Sequence, residues 1–351
     1  MKKPHSLWSF LIVMVAFATG SVQAQVLTID DVKFDRSKGT IRAYLAQYRD
    51  IIIPTHLDGV PVAIIGKRAF RNQGLTKVVL PETIKKIDDE AFANNYLTNI
   101  ILPDSLTSIR HQAFQNNNLI HLDIPDSVTF VGDGAFIQND LKSIKLSNSL
   151  RAISHGMLAD NELTEVIIPD SVELIDNYAF QRNKLSHVVI PNSVKTILTR
   201  AFAKNKLTSV TISNSISHIH NYTFSENDLT SVVIPDSVKV IGFRAFYQNK
   251  LVNVELPDEL MYIQDEVFAE NELETVMLND KLETIGRYAF YKNKLTTVTI
   301  PKSVTEIYPS AFKDNPLTRV AVPKAMIEES RYVFDEEVEV VETSWFSGLF
   351  N

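Results

Sequence analysis

The sequence predicts a β-rich repeat solenoid, an elongated stack of 22-residue rungs, and three observations carry that prediction. A landmark Phe recurs at Phe70, Phe92, Phe114, Phe136, Phe180, Phe202, Phe224, Phe246, Phe268, Phe290, Phe312 and Phe334, with Leu158 in the one gap, and every step is 22 residues. Leu opens each unit from Leu75 to Leu317, and Asn closes eleven of them from Asn95 to Asn315, with Gln73 ahead of the series. Nothing is inserted between Phe70 and Phe334. A period of this size marks supersecondary units that stack, each touching only its neighbours. The 351 residues therefore make one array, not the two globular domains that length alone suggests.

The elements follow from one unit, residues 229–250. Leu229, Val232 and Ile234 mark the inward places of a short strand, since residues two apart share a face. Pro235 ends it, having no N–H and a fixed φ; Ser147, Ser213 and Asn279 stand at that place in three units and also suit a turn. Asp236 and Ser237 carry the chain round a corner through local hydrogen bonds. Val238 and Ile241 turn inward on a second extended segment, and residues 242–246 are expected to form a short helical or 3-10 turn holding Phe246 in the core. Asn249 closes the rung. An amide recurring beside an apolar core reads as a partner for backbone groups in a tight turn; a catalytic or glycan-binding row is the alternative. One unit buries too little to offset the cost of ordering it, so stability belongs to the array and its ends.

Residues 25–61 read as an N-terminal cap. Val32 to Phe34 and Thr40 to Tyr44 flank a polar stretch ending in Gly39, which suits a hairpin. Residues 62–327 are the array and 328–351 a C-terminal cap and tail. There Glu329 replaces an inward Ile, Glu337 replaces the ladder Asn, residues 338–341 alternate as a half-solvated last strand, and the surrounding acidic residues discourage further edge pairing. The tail from Trp345 to Phe350 is expected to fold back as a lid on the last rung or to dock on a membrane or partner. It is the one place where membrane association is expected.

Residues 1–24 read as a signal peptide. Lys2 and Lys3 precede an apolar run over 7–18 broken only by Ser9, and small residues at Val22 and Ala24 fit cleavage after Ala24. The run is shorter than the ~20 residues a bilayer span needs. Export to the periplasm, cell surface or medium is the expectation. A formal charge of −7 with no basic stripe excludes nucleic acid as a natural partner. With no cysteine there is no disulfide framework, thiolate metal site or cysteine nucleophile.

The unit LTxVxIPxSVxxIxxxAFxxNxL resembles the BspA-type leucine-rich repeats of bacterial surface and secreted proteins over about residues 51–334. The resemblance implies a right-handed leucine-rich repeat solenoid with a parallel β-sheet on one face. It also implies a role in adhesion or protein recognition, in some members of host or extracellular matrix proteins. Many members place Cys where this chain has its Asn column, and ordinary leucine-rich repeats place Asn after the strand, whereas here it precedes the next one.

Chemistry is sparse. His111 and His155 lie two rungs apart, about 10 Å at strand spacing, and His121 and His187 lie three apart, so neither pair closes on one metal ion. His218 and His220 lack a third ligand. The column Asp104, Asp126, Asp170, Asp236, Asp258 and Asp280 could suggest calcium, but Asn148, Asn192, Asn214, Lys302 and Lys324 share its place, which favours turn formation. Neither a metal nor a cofactor is expected. A parallel β-helix polysaccharide enzyme has rungs of similar length, yet it needs loops of unequal length and a paired acid or nucleophile, which this chain does not offer. A non-enzymatic protein is the expectation.

What varies is the outward face of the first strand. Between the inward Val and Ile lie Val79, Ile101, Asp123, Lys145, Ile167, Val189, Val233, Glu255 and Met277, in a row that runs on to Ala321. Two places earlier lie His121, Glu165, His187, Ser231 and Arg319. At strand spacing the two rows make a strip about 55 Å long, and apolar patches of this kind mark contact surfaces, although β-branched residues also favour strands. A second candidate is the aromatic set Phe243, Tyr247, Tyr288 and Tyr291, with Tyr222 and Tyr308, which could stack on sugar rings or pack between neighbouring turns. The sequence thus points to an exported protein that binds a protein ligand on its strand face. Glycan binding by the aromatics is the alternative, and a self-associating spacer or coat is a third reading.

Overall fold

In a computed structural model the described residues are 24–328 and 330–343. They form a β-solenoid of about 14 turns with rungs of about 22 residues. Three backbone ladders run along the stack, each set by a different part of the unit.

The first strand pairs parallel at the repeat offset, as in His187↔Ser209 and Ser231↔Asn253. The second segment pairs over longer runs. One links Ile64–Ile65, Lys86–Ile87, Ser108–Ile109 and Phe130–Val131, and another runs from His218–Ile219 to Glu306–Ile307. The third ladder lies in the turn, where the N–H of Phe246 donates to the Val267 carbonyl at 3.0 Å and that of Phe268 to Ala289 at 2.9 Å.

That third ladder explains why residues 242–246 form a turn and not a helix. Arg244 has φ 53° and Gln248 φ 52°, and a left-handed residue cannot continue a right-handed helix. Alternate N–H groups point to the next rung, as Arg244 does to Asp265 at 3.2 Å, while those between close tight turns within the rung, as Ala245 does to Gly242 at 3.1 Å. The left-handed conformation costs a side-chain-bearing residue on the order of 1 kcal/mol, and the inter-rung bonds offset it. Among the described residues, 3-10 geometry occurs only near the ends, at Ile29–Asp31, Lys324–Met326, Ser330–Tyr332 and Thr343.

The landmark rings stack along the axis. Phe70 and Phe92 lie 5.2 Å apart at 12°, and Phe246 and Phe268 5.6 Å apart at 7°. Leu158 interrupts the column, with Met157 beside it where most rungs carry Ala, and both are fully buried. The buried Asn column does more than close its own turn. Asn249 Nδ2 donates to the Phe246 carbonyl at 3.1 Å and to that of Phe224 in the preceding rung at 3.0 Å, while its Oδ1 accepts the Leu229 N–H at 3.1 Å. Where Pro is missing, the substitute bonds backward across the rungs: Ser147 Oγ donates to Val128 at 2.7 Å and Asn279 Nδ2 to Pro257 at 2.8 Å.

The N-terminal end sets the register of two ladders. Val32–Asp35 and Thr40–Tyr44 form the expected antiparallel hairpin, and Thr40–Tyr44 then pairs parallel with Ile64–Ile65 to start the second ladder. Gln25–Val26, Asp50–Ile52 and Lys77–Val79 start the first. Gly39 is required here, with φ +60° and the Pro61 carbonyl 2.3 Å from where a Cβ would sit. Tyr44 takes the ring position ahead of Phe70, 5.2 Å away. At the other end Arg319–Val322 pairs parallel with Glu339–Glu342, and Phe334 stacks on Phe312 at 5.5 Å. The leader, Glu329 and the segment from Trp345 onward lie outside the described residues.

The first ladder is intermittent. Residues 99–101, 165–167 and 275–277 are not strands, so the sheet on this face consists of short paired pieces. The turn and the second segment hold the rungs at bonding distance, whereas the three-residue first strand ends at a Pro that lacks a donor. Pairing there is the weakest of the three.

Candidate binding surfaces

The first-strand row faces outward as its alternation requires. Val78, Val188 and Val232 are buried, and Val79, Val189 and Val233 beside them are exposed. Met277 is 87% exposed, Ile167 85% and Ile101 78%, the highest values of any large hydrophobic among the described residues. These three sit on the rungs where the first strand is unpaired. His121, Asp123, Lys145, Glu165, His187, Ser231 and Glu255 are exposed along the same row and its neighbour. His121 Nδ1 lies 2.8 Å from Ser143 Oγ. Arg319 is half-buried and its Nε lies 3.5 Å from Glu339. The row closes at Ala321, which pairs with Val341 and is buried, not outward-facing. Shallow clefts open between rungs on this face. One of about 540 Å³ is lined by Val79 and Ile101, and one of about 530 Å³ spans Val189, Thr211 and Val233.

The aromatic set lies at the turn and is engaged by cations. Residues two before the landmark, from Arg68 to Ser310, are all left-handed with φ between 53° and 63°, so their side chains form one column. Arg200 lies over Tyr222 at 4.3 Å. Arg244 lies over Tyr247 at 4.7 Å and Phe243 at 5.0 Å and ion-pairs with Glu266 at 2.6 Å. Tyr288 and Tyr291 meet edge to face at 5.2 Å. Burial and the nearby Glu270 raise the Tyr247 phenol, which donates to Glu270 at 3.2 Å.

The histidine pairs separate as their rungs do. Among the described residues no group of three or more His, Cys, Asp or Glu is placed to hold a metal ion. In the aspartate column, Asp126 accepts the Asn148 N–H at 2.9 Å, and this bond lowers its carboxyl pKa. No helix among the described residues is long and apolar enough to cross a membrane.

One feature escaped the sequence reading. Gly134 and Gly156 occupy the left-handed column on adjacent rungs, so two side chains are missing between Gln112 and Tyr178. The result is a notch of about 490 Å³ with Ile137 and Ala159 among its lining residues. His111 and His155, which cannot share a metal ion, line this notch together.

The family model described as BspA type Leucine rich repeat region matches residues 63–184, 161–229 and 218–340. The chain belongs to the BspA-type leucine-rich repeat family. No curated protein matches it in sequence. Among solved structures, this BspA-type chain is similar to a leucine-rich repeat protein from Bacteroides ovatus, at 20% identity and TM-score 0.60 over 91% of this chain and 92% of that one. It is also similar to the pneumococcal vaccine antigen PcpA, at 23% identity and TM-score 0.52 over 80% and 74% of the two chains. At these identities the likeness shows a shared repeat fold.

Proposed function

We propose that this BspA-type chain is an exported, non-enzymatic binding protein that holds a protein ligand on the outward row of its first strands, in adhesion or recognition. One observation carries the reading. The three most exposed large hydrophobics among the described residues, Met277, Ile167 and Ile101, occupy one repeat position on one face. Water-exposed apolar side chains gathered on one surface mark contact sites. The polar residues between them supply the rim and orientation that such contacts use. The clefts between rungs on this face offer recesses for a partner's side chains. Export rests on the sequence of residues 1–24 and on the surface and secreted proteins in which such repeats occur.

The test begins with capture of partners by the chain lacking residues 1–24 and their identification by mass spectrometry. The affinity of the identified partner is then measured for the wild type and for the triple variant Ile167→Lys, Val189→Lys, Val233→Lys. The variant should lose binding with its circular dichroism spectrum unchanged; equal affinity in both would rule this face out.

A further inference from the structure

The notch at Gly134 and Gly156 is built from absence in an otherwise filled column. On both sides of it the left-handed residues partner each other. Arg68 pairs with Glu90 at 2.6 Å, Arg200 covers Tyr222, and Arg244 pairs with Glu266. Glycine is not demanded by the backbone, because Gln112 at φ 54° and Tyr178 at φ 59° hold the same conformation with full side chains. Nor is it demanded by packing at position 156, where a Cβ would meet only Ile137 Cδ1 at an ordinary 3.8 Å. The same rung departs from the repeat at the next two places as well, with Met157 where most rungs carry Ala and Leu158 where the others carry Phe. At position 134 a Cβ would lie 3.3 Å from Ile137 Cγ2 and 3.4 Å from Gln112 Cγ, so Gly134 makes room for Ile137, and the open space lies at Gly156.

The lining of that space is specific. Ile137 and Ala159 are apolar, and Tyr178 lies between Arg200 on the next rung, 5.9 Å from its ring centre, and Gly156 on the preceding rung, which carries no side chain. His155 meets Tyr178 edge-on at 5.2 Å. The Asp133 N–H donates to His111 Nδ1 at 3.1 Å, and the Asp133 carboxylate lies 3.4 Å from the same nitrogen. The carboxylate remains an acceptor. Asp160 on the lining is paired with Arg182 at 3.4 Å.

From this we propose that the notch binds a neutral saccharide ring. Such a ring presents apolar C–H faces and a rim of hydroxyls that both donate and accept. The notch offers a tyrosine ring and two aliphatic side chains for the first, and imidazole, carboxylate and amide groups for the second. An anionic ligand would face two carboxylates. This site lies at the turn, away from the first-strand row, and does not depend on a protein ligand there.

A glycan array of neutral and acidic oligosaccharides probed with the chain lacking residues 1–24, beside its Gly156→Gln variant, tests this. Gly156→Gln refills the column at a position with room for a Cβ, so circular dichroism should match the wild type, and the left-handed backbone should lower the melting temperature by only a few degrees. Neutral glycans should be retained by the wild type, and retention should fall about tenfold or more in the variant. Titration of the retained sugar should move the imidazole NMR signals of His111 and His155. Retention of no neutral glycan, or retention equal in wild type and variant, overturns the proposal. So does binding that leaves those two histidine signals in place.

Discussion

Asn249 Nδ2 donates to the carbonyl of Phe224, one rung back, at 3.0 Å. The same amide donates to Phe246 in its own rung and accepts the Leu229 N–H, and Phe224 also accepts from Asn227 at 3.1 Å, so each Phe carbonyl is shared by asparagines of adjacent rungs. Ten further asparagines repeat the arrangement from Asn95 to Asn315.

Replacing Asn249 with Leu keeps the branched shape and removes the bonds. The Leu229 N–H is then left unpaired, whereas the Phe224 and Phe246 carbonyls keep their bonds from Asn227 and Asn271, so the urea midpoint should fall by the equivalent of about 1–3 kcal/mol. An unchanged midpoint would mean that the column is incidental to stacking.

Met157 and Leu158 act as a pair. Leu158→Phe alone should overpack a site that Met157 already fills and cost about 1–3 kcal/mol, while Met157→Ala alone leaves a cavity and costs about 2–5 kcal/mol. The double variant restores the usual Ala and Phe and lets the ring stack between Phe136 and Phe180. Thermal melts of all four proteins should therefore give a strongly non-additive cycle with the double variant near the wild type.

His220 has its pKa pushed below the ordinary 6.5 by burial first and by His218 second. The unfolded chain binds this proton at a higher pH than the folded one, so the folded state loses stability as pH falls through about 6.5 toward the depressed value, and keeps it above. In an NMR titration the His220 imidazole should therefore be protonated at a lower pH than a free imidazole. A titration at or above 6.5 would contradict the buried environment.

Most of the fold was legible because inward residues repeat and outward ones do not: Leu229, Val232, Ile234 and Phe246 lie where the period puts them. The turn was misread as helical or 3-10 because its left-handed positions accept Arg, Glu, Gln and Tyr, so nothing in residue type at Arg244 or Gln248 announces the conformation. Tyr44 was missed as the first ring of the stack since it lies 26 residues before Phe70, off the 22-residue period. The outward row was readable from alternation, but its interruption at Ile101, Ile167 and Met277 was not, because strand pairing depends on neighbouring rungs. The notch needs several rungs side by side. In the sequence Gly134 and Gly156 are two glycines 22 residues apart, and their shared column was the one signal available.

The first-strand row is the surface proposed above for a protein ligand. Site-specific photo-crosslinking tests it most directly, with a photoreactive residue placed at Ile167, Val189 or Val233, and at exposed Lys239 on the second segment as the control. Irradiation in the presence of the captured partner should give adducts from the three row positions and none from position 239. Adducts from position 239 alone, or equal yields at all four positions, would contradict the account.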